Sequence, residues 1–115
     1  MGRKSKEKGK RGERELAAYL ASVLGIRARR GVQFQGSPDS PDIVADIPNV
    51  HIECKRTESF CLYASLNQAI NDAGGKIPIV CHRSNRNPWI IVARLDDIIK
   101  LSQSIIDTQN ERTSD

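Results

Sequence analysis

No apolar run in this chain approaches the roughly 20 residues that a membrane-spanning helix requires, so its 115 residues hold no helical anchor. The leading segment is polar and basic and lacks the apolar centre of a secretory signal. Cysteine is sparse and odd in number: Cys54, Cys61 and Cys81 stand at no metal-ligand spacing. Two of the three lie in apolar, strand-like runs, which argues for reduced, buried thiols and a cytoplasmic protein rather than a disulfide framework or a zinc site. There are no internal repeats, and no low-complexity tract other than the basic leader. Aromatic residues make up only 4%, and the single tryptophan, Trp89, opens an apolar strand and reads as core. A length of 115 residues suits one domain with a modest core and is too short for two.

Charge is plentiful but uneven. The net charge is +4, yet residues 1–14 carry seven Lys/Arg against two acids, and the remainder is slightly acidic. All of the positive excess therefore sits in the leading segment. Such an arm attracts polyanions by displacing their counterions. A solvated tail that aids solubility has the same composition.

Residues 1–11 lack apolar periodicity and read as a flexible basic arm. From Gly12 the pattern becomes helical, with Leu16, Leu20, Val23 and Leu24 on one face and Gly25 as the stop. Glu13 lies three residues before Leu16 and shares its inward face, where a carboxylate needs a cationic partner. Glu15 and Arg14 read as ordinary solvated charges. An extended segment over 26–35, a turn-rich loop to Pro41 and a strand over 42–47 follow. Pro48-Asn49 then turns the chain into a strand over 50–55, as in a hairpin. A second helix is marked by Leu62, Leu66, Ala69 and Ile70. A buried strand at 77–81, another strand at 89–93 and a third helix from Leu95 to about Ile106 complete a domain over 12–106. Residues 107–115 read as a frayed polar tail. The expected fold is α/β: one central mixed sheet flanked by helices.

The chemistry concentrates in the hairpin. Pro41-Asp42 opens one strand, and Glu53-Cys54-Lys55 lies on its partner, with Glu53 and Lys55 about 7 Å apart on one face. A turn at Pro48-Asn49 brings Asp42 opposite the Glu53–Lys55 end. Two carboxylates hold a hard divalent cation through oxygen, and the Cys54 carbonyl is a candidate third ligand. Lys55 is placed to orient a water or to neutralise charge on a phosphate. Glu13 is a further ligand, direct or through water. This set points to metal-dependent phosphodiester hydrolysis. His51 shares the face of Glu53, which leaves two readings, a place near the metal and, preferred, a solvated strand histidine. Asp39 and Asp46 are competing carboxylates ranked below Asp42. Arg3, Lys4, Lys10, Arg11, Arg29, Arg30, Gln33, Gln35, Arg83 and Arg86 are candidate DNA-phosphate contacts.

The runs Gly12-Glu13-Arg14-Glu15-Leu16, Ser40-Pro41-Asp42-Ile43-Val44-Ala45 and His51-Ile52-Glu53-Cys54-Lys55 together resemble the PD-(D/E)XK nuclease superfamily. The likeness is greatest to archaeal-type Holliday junction resolvases and to small phage and VRR-NUC-like nucleases, and extends from about Gly12 to Leu95. It implies a restriction-endonuclease-like αβββαβ core, a homodimer, and cleavage of DNA with Mg²⁺, or Mn²⁺ as substitute. It also implies roles for Glu13 as the helix glutamate, Asp42 and Glu53 as metal ligands, Lys55 as the lysine, and Gln68 as a glutamine of the helix after E-x-K. The expected activity is endonucleolytic, on branched DNA such as four-way junctions. The segment Arg29–Gly36 is longer than in the resolvases and more like the phage nucleases. That keeps two alternatives open: a phage-type nicking or general endonuclease without junction preference, and a DNA-binding relative that does not cut.

Overall fold

The computed structural model describes residues 2–31 and 41–113, with side chains over 8–31 and 41–111. Chain order is α1 (Gly2–Leu24), β1 (Ala28–Arg30), β2 (Ile43–Ala45), β3 (Val50–Arg56), α2 (Leu62–Asp72), β4 (Ile77–Arg83), β5 (Ile90–Ala93), a 3-10 turn (Leu95–Asp97) and α3 (Ile98–Thr113). The five strands form one sheet in sequential order. β1, β2 and β3 are antiparallel neighbours, β3 and β4 are parallel, and β4 and β5 are antiparallel. The parallel step needs a crossover, and α2 supplies it. The result is the mixed α/β sheet that the sequence implies. No helix among the described residues is long and apolar enough to cross a membrane.

Alternation along the strands divides the packing. Ile43, Ile52, Cys54, Ile77, Ile79 and Cys81 face Leu16 and Ala17 of α1 and Leu101 of α3 in one buried cluster. The alternate positions of β3 and β4 are buried too, including His51, Glu53, Val80 and His82. α2 buries Ser65, Leu66 and Ala69 and packs chiefly against β4. β3 is therefore covered on both faces. Ile43 pairs with Ile52, and one step further the antiparallel register carries Asp42 to the level of Glu53.

Two boundaries differ from the sequence reading. α1 begins at Gly2, so the leading arm is helical where an irregular segment over 1–11 is expected. Apolar periodicity reports packing, not helix formation. Lys, Arg and Glu are good helix formers, and the packed half from Gly12 onward supplies the costly nucleus from which they extend. At the other end α3 runs on to Thr113, past the tail expected from residue 107. Thr108 Oγ1 donates to the Asp46 carbonyl at 3.3 Å, and Gln109 Nε2 to the Leu24 carbonyl at 2.9 Å. These polar ties seat the helix on β2 and the end of α1 without an apolar signature. Of the extended segment expected over 26–35, the described residues hold β1 at Ala28–Arg30. Val32, Gln33, Phe34, Gln35 and Asp39 lie outside the described residues.

Candidate active site

Three backbone-mediated contacts fix Asp42. Its carbonyl accepts from the Gly31 amide at 2.7 Å, its own amide donates to the Ile52 carbonyl at 3.0 Å, and its Oδ2 accepts from the Cys54 amide at 2.9 Å. The Gly31 contact is only possible for glycine: a Cβ there would overlap the Pro41 carbonyl oxygen. The PD dipeptide is thus clamped between β1 and β3 before β2 begins.

Glu53 sits opposite, 8% exposed. Its Oε1 accepts from His51 Nε2 at 2.8 Å, and its carboxylate is hydrogen-bonded to that of Asp42. Burial, and then the hydrogen bond with Glu53, push the Asp42 carboxyl up to about 8, against a downward pull from the Cys54 amide. Burial alone would raise Glu53 as well. The hydrogen bonds from His51 and Asp42, with the charges of His51 and Lys55, outweigh it and hold Glu53 below its ordinary value. Asp42 is thus the carboxyl of the pair pushed toward its neutral form, and Glu53 the one held toward its charged form.

Lys55 lies beyond Glu53 on the same face, half-buried, and its charge is among those that hold Glu53 ionised. Glu13, from α1, meets the cation that its inward position demands: Arg30 Nε donates to its Oε1 at 2.9 Å. Its charge also reaches Asp42, adding to the upward push there. The Cys54 side chain turns away into the core with Cys81, and burial pushes both thiols up. Only the backbone of Cys54 belongs to the site.

The arrangement brings together Asp42, Glu53, Lys55 and the Cys54 backbone, with Glu13 beside them. Gln68 stands on the exposed side of α2 and makes no hydrogen bond to the carboxylates. Asp46 pairs with Arg27 at 3.2 Å on the surface. Among the DNA-contact candidates, Arg11, Arg29 and Arg86 are exposed, Lys10 is half-buried, and Arg30 is engaged with Glu13. Arg83 is tied to Glu15 and to the Asn87 carbonyl. The side chains of Arg3 and Lys4, and Gln33 and Gln35 entirely, lie outside the described residues.

Two expectations are corrected. His51 is buried at 2% exposure and bonded to Glu53, not solvated. The period-2 pattern puts it on the Glu53 face but carries no sign that this face is covered. Glu15 is no ordinary solvated charge, since it bridges Arg56 and Arg83. Sequence reasoning also missed Arg56, although it directly follows E-x-K.

The donor set fits a hard divalent cation. Among the described residues no three His, Cys, Asp or Glu side chains form a metal cluster. The facing Asp42 and Glu53 carboxyls nevertheless match the one or two carboxylates, completed by water, through which magnesium is usually bound. Asp42 and Glu53 are the residues that would hold such a cation.

The family model of phage putative PDDEXK endonucleases matches residues 4–114. The chain belongs to that family. Hjc of Archaeoglobus fulgidus, a Holliday junction resolvase from an archaeal hyperthermophile, has a similar structure, with a TM-score of 0.54. It is 26% identical over 74% of this chain and 76% of its own. No curated protein matches. Family and fold together make this chain a metal-dependent nuclease of the PD-(D/E)XK type.

Proposed function

We propose that the protein is a Mg²⁺-dependent endodeoxyribonuclease that acts as a homodimer on branched DNA. The observation that carries the catalytic part is the facing Asp42–Glu53 pair, with Lys55 alongside on β3. Asp42 and Glu53 would hold the cation, and the Cys54 carbonyl would complete the protein's share of oxygen ligands. When bound, the cation activates water and neutralises charge on the phosphate. Asp42 is oriented by the Cys54 amide, Glu53 by His51, so the carboxylates need little rearrangement to bind. Lys55 holds the attacking water or offsets the negative charge that grows on the phosphate oxygens. Glu13, restrained by Arg30, contributes through water.

Dimerisation is supported by exposed large apolar side chains on β5 and at the start of α3. Leu95 and Ile99 are 83% and 79% exposed, and Ile90, Ile91 and Ile98 lie about half in solvent. Neighbouring apolar side chains exposed in this way mark an interaction surface. Branched DNA is supported by the likeness to Hjc. A second reading, a phage endonuclease without junction preference, is favoured by the family match itself, whose description specifies no branched substrate.

Cleavage of a four-way junction, a flap, a nicked duplex and a linear duplex, each with Mg²⁺, tests the proposal. The expected result is junction cutting that Glu53→Ala and chelation both abolish. Unchanged nicking by purified Glu53→Ala overturns the catalytic assignment. A preference of the wild type for the linear duplex overturns the junction assignment and favours the second reading.

A further inference from the structure

A notch of about 230 Å³ opens between the leading half of α1 and the end of β3, lined by Lys8, Arg11, Gly12, Glu15, Arg56 and Asn85. Lys8, Arg11 and Glu15 recur at helical spacing and share one face of α1. That face approaches β3 closely because residue 12 has no side chain: a Cβ there would come within 2.5 Å of the Arg56 Cβ.

Arg56 forms the inner wall. Its side chain is 18% exposed and fixed on three sides. Nε donates to Glu15 at 3.3 Å, Nη1 to the Arg83 carbonyl at 3.3 Å and Nη2 to Asn85 Oδ1 at 2.9 Å. Arg83 Nη1 donates to the other oxygen of Glu15. Glu58 stands 3.7 Å from Arg56 Nη1 and accepts from the Asn85 amide at 2.7 Å. Two carboxylates thus balance two buried or half-buried arginines, and the wall is neutral as a set. Lys8 and Arg11 at the mouth are exposed, and among the described residues no carboxylate pairs with either. The notch therefore presents two uncompensated positive charges in front of a rigid wall.

Its place on the strand gives this meaning. Lys55 and Arg56 are consecutive and point to opposite faces of β3, so the carboxylate pair and the notch flank the same strand end. We propose that the notch is a phosphodiester subsite, which holds a non-scissile phosphate of the DNA backbone beside the one to be cut. Lys8 and Arg11 make the contacts, and Glu15 acts as a positioning residue that keeps Arg56 and Arg83 in the wall. This rests on the nuclease reading above and adds to it where the flanking strand is gripped.

The test uses DNA binding in chelator, where nothing is cut. Duplexes carrying a single uncharged methylphosphonate, stepped along one strand, are bound by the wild type and by Lys8→Gln/Arg11→Gln. Both positions are exposed, and thermal melting checks that the fold is kept. The variant is expected to bind about tenfold more weakly, with a plot of log K against log[salt] shallower by about 1–2. One or two methylphosphonate positions that weaken the wild type should leave the variant unaffected. Lys100→Gln, on α3, serves as a charge control and should retain the wild-type pattern. An unchanged salt slope, a methylphosphonate pattern common to wild type and double variant, or an equal effect of Lys100→Gln overturns the subsite. Cleavage is scored separately with Glu53→Ala. The nuclease reading can therefore fail while the phosphate coupling stands, and the reverse.

Discussion

His51 Nε2 and Glu53 Oε1 lie 2.8 Å apart on the covered face of β3, two residues from each other on one strand. With Glu53 held ionised, the imidazole donates and the carboxylate accepts. The Glu53 carboxylate is held between this donor and the Asp42 carboxyl. His51 would thus orient Glu53 toward a cation held there.

Removing that donor should loosen Glu53 without removing it. His51→Ala is expected to weaken Mg²⁺ binding by about 10- to 100-fold, the usual effect of losing a partner that orients a ligand. His51→Gln retains a side-chain donor and should recover much of the loss. Titration calorimetry on both variants checks this directly. Equal affinities for His51→Ala and the wild type would show that the bond plays no part in orienting the ligand.

Asp42 gives the metal-free protein a pH signature. Its carboxyl is raised to about 8 in the fold, from an ordinary value of 3.8. Across that window the folded state binds more protons than the unfolded state, so stability falls as pH rises and levels off above about 8. Glu53 is held low and acts in the opposite sense, but only below its ordinary value. Asp42→Asn removes the first effect and keeps an acceptor for the Cys54 amide. In chelator, its melting temperature relative to wild type should climb between pH 5 and 8 and then plateau, while Mg²⁺-dependent cutting is lost. A gap independent of pH would show that Asp42 carries no such proton.

The spacing of Pro41-Asp42 and Glu53-Cys54-Lys55 made the carboxylate pair legible, because one hairpin with a turn at Pro48-Asn49 permits few registers. The inward position of Glu13 was legible from its distance to Leu16, and so was the need for a cation, although not that Arg30 supplies it. What could not be read depends on segments remote in sequence. The burial of His51 depends on packing over its face of β3, and the role of Glu15 on Arg56 and Arg83 meeting it from two other strands. The ends of α1 and α3 escaped because helix-forming charged residues and polar ties, not apolar stripes, extend them.

Gly31 should tolerate no side chain. An alanine Cβ would overlap the Pro41 carbonyl, which is backbone and cannot swing aside. Gly31→Ala is therefore expected to cost about 1–3 kcal/mol in urea unfolding, as for an overpacked core site. Because the same residue pairs with the Asp42 carbonyl, cutting should fall more than the stability loss explains under conditions where the variant is fully folded. Wild-type stability and wild-type cutting together would rule out the clamp.

The end of the molecule that carries Leu95 and Ile99 is the last test. Both side chains are almost fully in water, and Ile98, Ile90 and Ile91 are about half exposed. In an isologous dimer a single change enters the interface twice, once from each copy. Ile99→Glu should therefore turn a dimer into a monomer in sedimentation at micromolar concentration. Its monomer fold should be intact, since a residue already 79% exposed contributes little to the core. The symmetric paired cuts expected of a dimer on a four-way junction should then become single nicks. A wild type that sediments as a monomer, or a variant that remains dimeric, would move the interface elsewhere or remove it.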